Sequence, residues 1–443
     1  MSTISIVTEN TEKIAHDRTT IIMYFLEKSS IHKTFYYTIT VLSSIALAIY
    51  TISLSWIVLT TTNKASSVGL FYMIASASSL LLTPFFSPLL TKTSHIKNII
   101  LISALVRSIA LTMPLIFLEL KINSAQRGNL LFTVAILFGP ANSLFSSAID
   151  ALMLRNIENT NRALITKRTG LIRMVALAAG ASLGGLVISL SKNGAEITAI
   201  ISAALGLISG IICLTSNEAN NKHPSIPFKK DDFIKKLLEG FLIIKRNHNL
   251  AYSSIILTLC FSVSQMSNSL LSPIIISQNK SAAYFGFISG SWYAGAVFTA
   301  ALINIKSFSK KSISKEFFVL LLLGFFCILF SLLTSKLIQT ITFTLMGGTF
   351  AYLRVLSTSN IALYTPNDKI GQVQIANSNI ISFFSIIIYI IPTILQKMLP
   401  TSIFFAWGLI IMAVSLFFLK KILFNSSNEI KFELNKISPH NTD

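Results

Sequence analysis

The chain has few charges and lacks the patterns that mark most enzymes. Only 12% of its 443 residues are charged, and Asp and Glu together number 17. It contains no HExxH and no GxxxxGKS/T sequence, so a zinc hydrolase and an ATP-driven pump have no support. The three cysteines, Cys213, Cys260 and Cys327, lie in apolar runs without CxxC spacing. We expect them to be packing residues, and we expect no metal and no cofactor.

What the chain has instead is apolar sequence. It is 52% hydrophobic with a mean hydropathy of +0.69, whereas soluble domains carry about 25% charged residues. A bilayer is therefore the expected solvent, and spanning helices need about 20 apolar residues. Twelve such stretches are visible, at about 34–60, 68–90, 98–118, 129–154, 169–191, 195–216, 250–277, 283–304, 316–335, 338–363, 373–396 and 402–423. The fourth and tenth are the most polar, as is typical of helices that line a wet cavity.

The net charge of +19 follows from where the basic residues lie. With the N-terminus inside, 26 of the 36 Lys and Arg fall in cytoplasmic segments, 7 in outer loops and 3 within spans. This bias predicts that both termini are cytoplasmic. It also explains the charge without a nucleic-acid partner, because basic loops face anionic lipid.

The chain divides in the middle. Its one long hydrophilic segment between spans, 217–249, ends in an amphipathic stretch from Phe233 to Arg246 that suits a helix on the inner membrane surface. Six spans precede this linker and six follow it. The predicted organisation is a cytoplasmic tail (1–33), a six-helix bundle (34–216), the linker (217–249), a second six-helix bundle (250–423) and a cytoplasmic tail (424–443).

Several short motifs occur in a characteristic order. They include Phe138-Gly-Pro-Ala141, Gly180-Ala-Ser-Leu-Gly-Gly185, Leu238-Glu-Gly-Phe-Leu-Ile-Ile-Lys-Arg246 and Thr365-Pro-Asn-Asp-Lys-Ile-Gly-Gln372. Their order resembles the major facilitator superfamily, in particular the exporter branch with the enterobactin exporter and macrolide efflux proteins. Two departures stand out: Thr91 replaces the acidic residue expected after the second span, and Ala181 replaces the usual Pro of the fifth-span antiporter motif.

The resemblance implies a fold and a function. The fold would be all-α and polytopic, with twelve transmembrane helices in two bundles that rock about a midplane cavity. The protein would be a monomer in a bacterial inner membrane. It would use the proton gradient to export a small amphipathic molecule, such as a drug, a siderophore or a peptide-like antibiotic. In the fifth-span motif, Gly180, Gly184 and Gly185 provide small residues for close helix packing or for a sliding surface.

Charged residues within spans are expensive and therefore candidates for function. They are Arg107, Asp150, Arg173 and Arg354. Asp150 either takes up and releases a proton or pairs with Arg107 or Arg173 as a structural partner. Arg354 either faces an anionic cargo or extends toward the inner surface.

Uncharged polar residues in the seventh span are further candidates. Gln265 and Asn268 lie among serines that cover more than one helix face, so some must point inward. The aromatic residues in spans one and eight line a cavity or belong to interfacial belts; they are Tyr36, Tyr37, Tyr50, Trp56, Trp292 and Tyr293.

Three further hypotheses stand beside general export, and the first is a special case of it. An Ile-, Lys-, Asn- and Ser-rich composition indicates an AT-rich gene, which fits a self-immunity exporter of a microcin-like antibiotic. A nutrient importer of the same fold is a closer rival, because sequence does not determine direction. A membrane enzyme or receptor is disfavoured, since no His, Ser or Asp constellation lies at one membrane depth.

Overall fold

The computed structural model describes residues 35–86, 96–119, 124–156, 162–191, 193–215, 239–302, 313–365 and 370–437. These residues are helical apart from short connections. The thirteen helices of this part are α1 (Phe35–Thr62), α2 (Ala65–Phe86), α3 (Ile96–Glu119), α4 (Ser124–Asn156), α5 (Arg162–Leu190), α6 (Gly194–Leu214), α7 (239–246), α8 (His248–Ser277), α9 (Ala282–Leu302), α10 (Ile313–Leu332), α11 (Lys336–Tyr364), α12 (Ile370–Ile394) and α13 (Pro400–Ile437). The tails 1–34 and 438–443 lie outside the described residues.

Eleven of the described helices are long and apolar enough to cross a membrane. The remaining long helix is α11, whose 29 residues are rich in Thr and Ser. Most of these hydroxyls donate to carbonyls one turn earlier in the same helix, as Thr342 does to Ile338 at 2.8 Å and Thr344 to Thr340 at 2.8 Å. A self-bonded hydroxyl leaves no unpaired donor in lipid, so α11 can serve as the twelfth spanning helix.

The helices form two groups, which we call the first group (α1–α6) and the second group (α8–α13). In the first group α3 packs on α4 and α6, and in the second α11 packs on α8, α9 and α10. The groups meet where α5 packs against α9 and α2 against α12, with α2 also contacting α8. The candidate site described below lies between the α5–α9 contact and the α2–α12 contact.

The described part of the linker is the short helix α7. Asn247 separates α7 from α8, because its side chain accepts hydrogen bonds from the backbone N–H groups of Asn249 at 3.1 Å and Leu250 at 3.3 Å. This is the N-cap arrangement that begins a new helix. Ile244 of α7 is buried against α8, α11 and α12, while Arg246 is exposed, so one side of α7 packs on the second group. The predicted position of this segment on the inner membrane surface stays a prediction.

At the other end of the chain α13 extends beyond the last span. The candidate span Pro400–Ile422 agrees with the predicted 402–423, and the helix then continues to Ile437. The polar run after Phe424 contains no Pro or Gly before Pro439, so nothing in the local sequence interrupts the helix.

Candidate functional site

A central cavity of about 280 Å³ lies between the two helix groups. Its walls come from α1, α2 and α4 on one side and from α8 and α12 on the other. The described lining carries no charged residue and consists of Leu47, Tyr50, Thr51, Tyr72, Ala75, Ser76, Ser79, Phe138, Gly139, Asn142, Ser143, Asn268, Ser382 and Ser385. Aromatic faces beside hydroxyl and amide groups suit a small organic molecule with both apolar and polar parts.

The aromatic side of this cavity is held in a fixed arrangement. Tyr50 stacks on Phe138 with ring centroids 3.6 Å apart, and Tyr72 stacks on Tyr389 of the second group at 5.4 Å. The Tyr72 hydroxyl lies 2.7 Å from Ser55 Oγ. Since these rings are buried and stacked on one another, they form a preformed aromatic wall of the cavity.

A smaller chamber of about 40 Å³ adjoins the central cavity and shares Thr51 and Asn268 with it. Its lining includes Trp292 and Tyr293, two of the predicted aromatic candidates. Asn268 therefore lies at the junction, where its side chain bonds the Tyr389 hydroxyl.

Gln265 does not belong to the described lining of either chamber. Its amide instead donates a hydrogen bond to Ser385, whose side chain does line the central cavity. Gln265 therefore does not line the cavity itself but holds the Ser385 hydroxyl, which does.

A third cavity of about 60 Å³ shares Leu47 and Asn142 with the central one. It contains the two predicted arginines of the first group, Arg107 and Arg173. Arg107 is 2% exposed, and its Nη1 donates to Asn142 Oδ1 at 3.3 Å. The third cavity is lined by α1, α3, α4 and α5, so it lies within the first group, beside the central cavity.

The two helix groups are pressed together at the end of the molecule where α1 joins α2, which we call the α1–α2 end. Gly185 of α5 lies against Gly286 of α9 so closely that a Cβ on either would overlap the other's Cα. Nearby, Thr393 Oγ1 of α12 donates to the Ser66 carbonyl of α2 at 3.1 Å. These contacts hold the two groups together at this end.

The three glycines of the fifth-span motif do not share one neighbour. Gly180 and Gly184 approach Ile45, Ala48 and Ile49 of α1, whereas Gly185 approaches α9 of the other group. One residue turns a helix by 100°, so adjacent glycines meet different neighbours. Only Gly185 belongs to the contact between the groups.

The other two predicted charges are Asp150 and Arg354. Asp150 is in the helical backbone of α4, but its side chain lies outside the described residues, so its proposed pairing stays a prediction. Arg354 is half-buried on α11 with its guanidinium 5.5 Å from the Phe261 ring, and it lines none of the three cavities.

Glu316 is a buried carboxylate in the first turn of α10 that was not among the predicted site residues. It is 0% exposed and accepts hydrogen bonds from Ser357 at 3.0 Å and from Asn360, both on α11. The sequence does contain a signal for such a site. Ser357 and Asn360 are three residues apart on α11, so they share a helix face and can both contact one buried polar partner.

Within the described residues no group of His, Cys, Asp or Glu could hold a metal ion. The three cysteines are free and buried, as their apolar surroundings predicted.

Comparisons with known proteins agree on the fold. The profile of the Major Facilitator Superfamily matches residues 36–390. A mutant of the nucleoside transporter NupG superposes with a TM-score of 0.68 at 14% identity, covering 87% of this chain and 99% of that one. The POT family transporter PepTSo gives 0.66 at 11% identity, covering 90% and 98%. A bacterial homolog of the human lysosomal transporter Spinster, in an inward-facing and unoccupied conformation, gives 0.61 at 14% identity, covering 88% and 94%.

No curated protein sequence matches the chain. The family match nevertheless spans most of its length, and the helices, their contacts and the cavity between the groups agree with it. The chain is a multi-pass membrane transporter, not an enzyme, and it belongs to the Major Facilitator Superfamily.

Proposed function

We propose that this transporter exports a small amphipathic organic molecule by alternating access, driven by the proton gradient. The observation that carries the proposal is the central cavity of about 280 Å³, with stacked aromatic rings on one side and hydroxyl and amide groups around it. This volume is near the lower limit of about 300–1,000 Å³ for ligand pockets, so the cargo is small. The proposed cargo is a drug, a siderophore or a peptide-like antibiotic.

Alternating access is supported by the position of the contacts between the groups. At the α1–α2 end, the first group contacts the second through Gly185 and Gly286 and through Ser66 and Thr393. The charge bias predicts that this end faces outward, so the conformation would be inward-facing. For transport, these contacts must separate while others form at the opposite end.

Export and proton coupling rest on the sequence. The motif from Gly180 to Gly185 resembles that of antiporters, and Asp150 is a carboxylate within the fourth span. We further propose a bacterial inner membrane with both termini cytoplasmic, as the distribution of Lys and Arg predicts. A reporter fused to residue 443 tests the orientation, since a fluorescent protein that folds only in the cytoplasm would glow.

Direction and coupling are tested with cargo accumulation in cells that have or lack the protein, with and without an uncoupler. An exporter lowers the cargo in the cells, and the uncoupler abolishes the difference. Higher accumulation in the expressing cells would instead show an importer, as a nutrient transporter of this fold would be. Unchanged gradient-driven transport by Asp150→Asn would rule out a proton role for Asp150.

The self-immunity version of the proposal has its own readout. Cells that express the protein should survive a microcin-like antibiotic at concentrations that kill cells without it. Equal sensitivity to every such compound in a panel would remove this version and leave the general exporter proposal in place.

A further inference from the structure

The side-chain amide of Asn142 has an orientation that its partner determines. Asn142 lies on α4, lines the central cavity, and accepts a hydrogen bond at Oδ1 from Arg107 Nη1 at 3.3 Å. A guanidinium has donors and no acceptor, so the oxygen of this amide must face Arg107. The amide nitrogen Nδ2, on the other branch of the side chain, is left to donate elsewhere.

Arg107 is itself held in place on two sides. Its side chain is 2% exposed, and the ring of Phe145 on α4 lies 4.4 Å from its Cζ. Gly206 of α6 leaves the space that Nη2 occupies, because a Cβ at this position would overlap Nη2. Asn142 and Phe145 are three residues apart, so one face of α4 supplies both the ring and the amide that contact Arg107. Arg107 is therefore a fixed donor.

The amide nitrogen of Asn142 is accessible from the central cavity. Asn142 is half-buried, and Nδ2 is not among the fully buried polar atoms without a partner in the described part of the chain. Within that part Nδ2 makes no hydrogen bond. Oδ1 faces Arg107, which lines the third cavity and not the central one. The opposite branch, with Nδ2, therefore faces the central cavity.

The other polar groups of the described cavity wall do not impose a donor in this way. The hydroxyls of Thr51 and Ser385 donate to backbone carbonyls one turn earlier, at 2.9 and 2.7 Å. Asn268 bonds the hydroxyl of Tyr389, and since a hydroxyl both donates and accepts, this bond leaves the orientation of the amide open. The remaining serine hydroxyls can rotate and serve as donor or acceptor. Asn142 is thus the amide of this wall whose donor is set by a donor-only partner.

We propose that Asn142 determines specificity by requiring a hydrogen-bond acceptor, such as a carbonyl oxygen, on an uncharged aromatic cargo, and that Arg107 is its positioning residue. The proposal rests on the proposed transport function and names the substrate class. The cargo is uncharged because the described lining of the central cavity offers no charge to pair with it. Phe138, whose ring stacks on Tyr50, lies four residues before Asn142 on the same face of α4. An aromatic ring against this stack therefore brings a carbonyl next to the amide.

The test uses the purified full chain in nanodiscs of phosphatidylcholine and three aromatic probes of similar size. 2-Acetylnaphthalene has a carbonyl acceptor, 2-isopropenylnaphthalene has a methylene group in place of the carbonyl oxygen, and carbazole has one N–H donor. Binding is measured by equilibrium dialysis, with empty nanodiscs to subtract partitioning into lipid. The wild type should bind the ketone about fivefold more tightly than the alkene, as expected for one hydrogen bond between neutral groups.

Asn142→Asp should invert this requirement. The carboxylate has nearly the same shape, pairs with Arg107 through one oxygen, and presents its second oxygen, an acceptor, to the cavity. The ketone should lose its advantage over the alkene, and carbazole should bind about fivefold more tightly than it does to the wild type. A purely structural role of Asn142 would not exchange the order of the probes. Asn249→Asp makes the same change at an exposed residue of α8 and should retain the wild-type order.

Two substitutions of Arg107 separate positioning from packing. In Arg107→Lys the partner of Asn142 still only donates, so the amide keeps its orientation and the ketone keeps its advantage. In Arg107→Gln the partner can donate or accept, so the Asn142 amide can turn over and the advantage should fall to about twofold or less. Equal losses in the two variants would refute the positioning role.

The wild-type comparison of ketone and alkene needs no variant, so it decides the proposal even if a variant does not fold. Equal binding of these two probes, or no binding of either above empty nanodiscs, would overturn the proposal. An unchanged order of the probes in Asn142→Asp would overturn it as well. A ketone preference without transport of any cargo in vesicles would leave the specificity of Asn142 standing and reject the proposed function. Transport that does not distinguish cargoes with and without an acceptor would do the reverse.

Discussion

The contact between Gly185 and Gly286 allows a sharp prediction about alternating access. In Gly286→Ala, the new Cβ would lie 2.5 Å from the Cα of Gly185. Carbon atoms in contact prefer about 3.5–4.0 Å, so α5 and α9 would have to separate by about 1 Å. Overpacking of this kind costs about 1–3 kcal/mol. The cost applies only while the α1–α2 end is closed.

The substitution should therefore shift the protein toward the conformation that is open at this end. A difference of 1–3 kcal/mol changes the ratio of the two conformations by about fivefold to more than a hundredfold. Spin labels at Lys64→Cys and Lys397→Cys, exposed residues of the first and second groups, report the separation. The native Cys213, Cys260 and Cys327 are buried and are replaced first, so that only the introduced sites react.

Gly324→Ala is the matched control. Gly324 packs tightly against Met412 and Gly408, but α10 and α13 belong to the same helix group. This variant should lower the thermal stability and leave the distance between the labels unchanged. If Gly286→Ala also lowers stability without lengthening that distance, the closed contact is not a gate and the reasoning is refuted.

Three further substitutions probe other parts of the structure. Asn268→Ala removes the amide shared by two chambers and should raise the KM for cargo about fivefold, as measured by initial rates in vesicles. Glu316→Gln puts an amide where the carboxylate accepts two hydrogen bonds and should lower the free energy of unfolding by about 1–3 kcal/mol. The Lys280 ammonium donates to Gln339 at 2.5 Å and to the Thr334 carbonyl at 2.8 Å. Lys280→Met should therefore also lower the free energy of unfolding by about 1–3 kcal/mol, as measured by denaturant unfolding.

Each of these variants has a control in the chain. Asn249→Ala changes an exposed asparagine of the same helix, and an equal rise in KM would show that the Asn268 effect is not local. Glu196→Gln alters a carboxylate whose Oε2 has no hydrogen-bond partner, and it should cost less than Glu316→Gln. Lys64→Met removes an exposed ammonium, and an equal loss of stability would contradict a structural role for Lys280.

The membrane-spanning helices could be predicted from the sequence because each one is recognised from the hydropathy of its own residues, without knowledge of its neighbours. Apolar runs of the right length must be helices. The orientation that the basic loops predict for them stays a prediction. The tenth span shows the limit: its Ser and Thr residues predicted a cavity helix, yet those of α11 largely bond to its own backbone. Only Phe343 of α11 lines a described cavity.

The site was less accessible to sequence because it depends on which helix faces meet. Asn268 could be predicted because it is a polar residue within the apolar seventh span, and it lines both the central cavity and the smaller chamber. The burial of Glu316 depends on its partners on α11, some 40 residues away. Likewise, the single-residue offset of Gly185 from Gly184 decides whether it meets α9 or α1, and that offset has no meaning until the neighbours are known.

The most direct test of transport through the central cavity is cargo uptake into inside-out membrane vesicles. Wild-type vesicles with an imposed proton gradient should accumulate an amphipathic cargo, an uncoupler should abolish the accumulation, and Asn268→Ala should reduce it while Asn249→Ala does not. If no member of a broad panel accumulates above vesicles that lack the protein, or if Asn268→Ala transports like the wild type, the account of the cavity as the export path is contradicted.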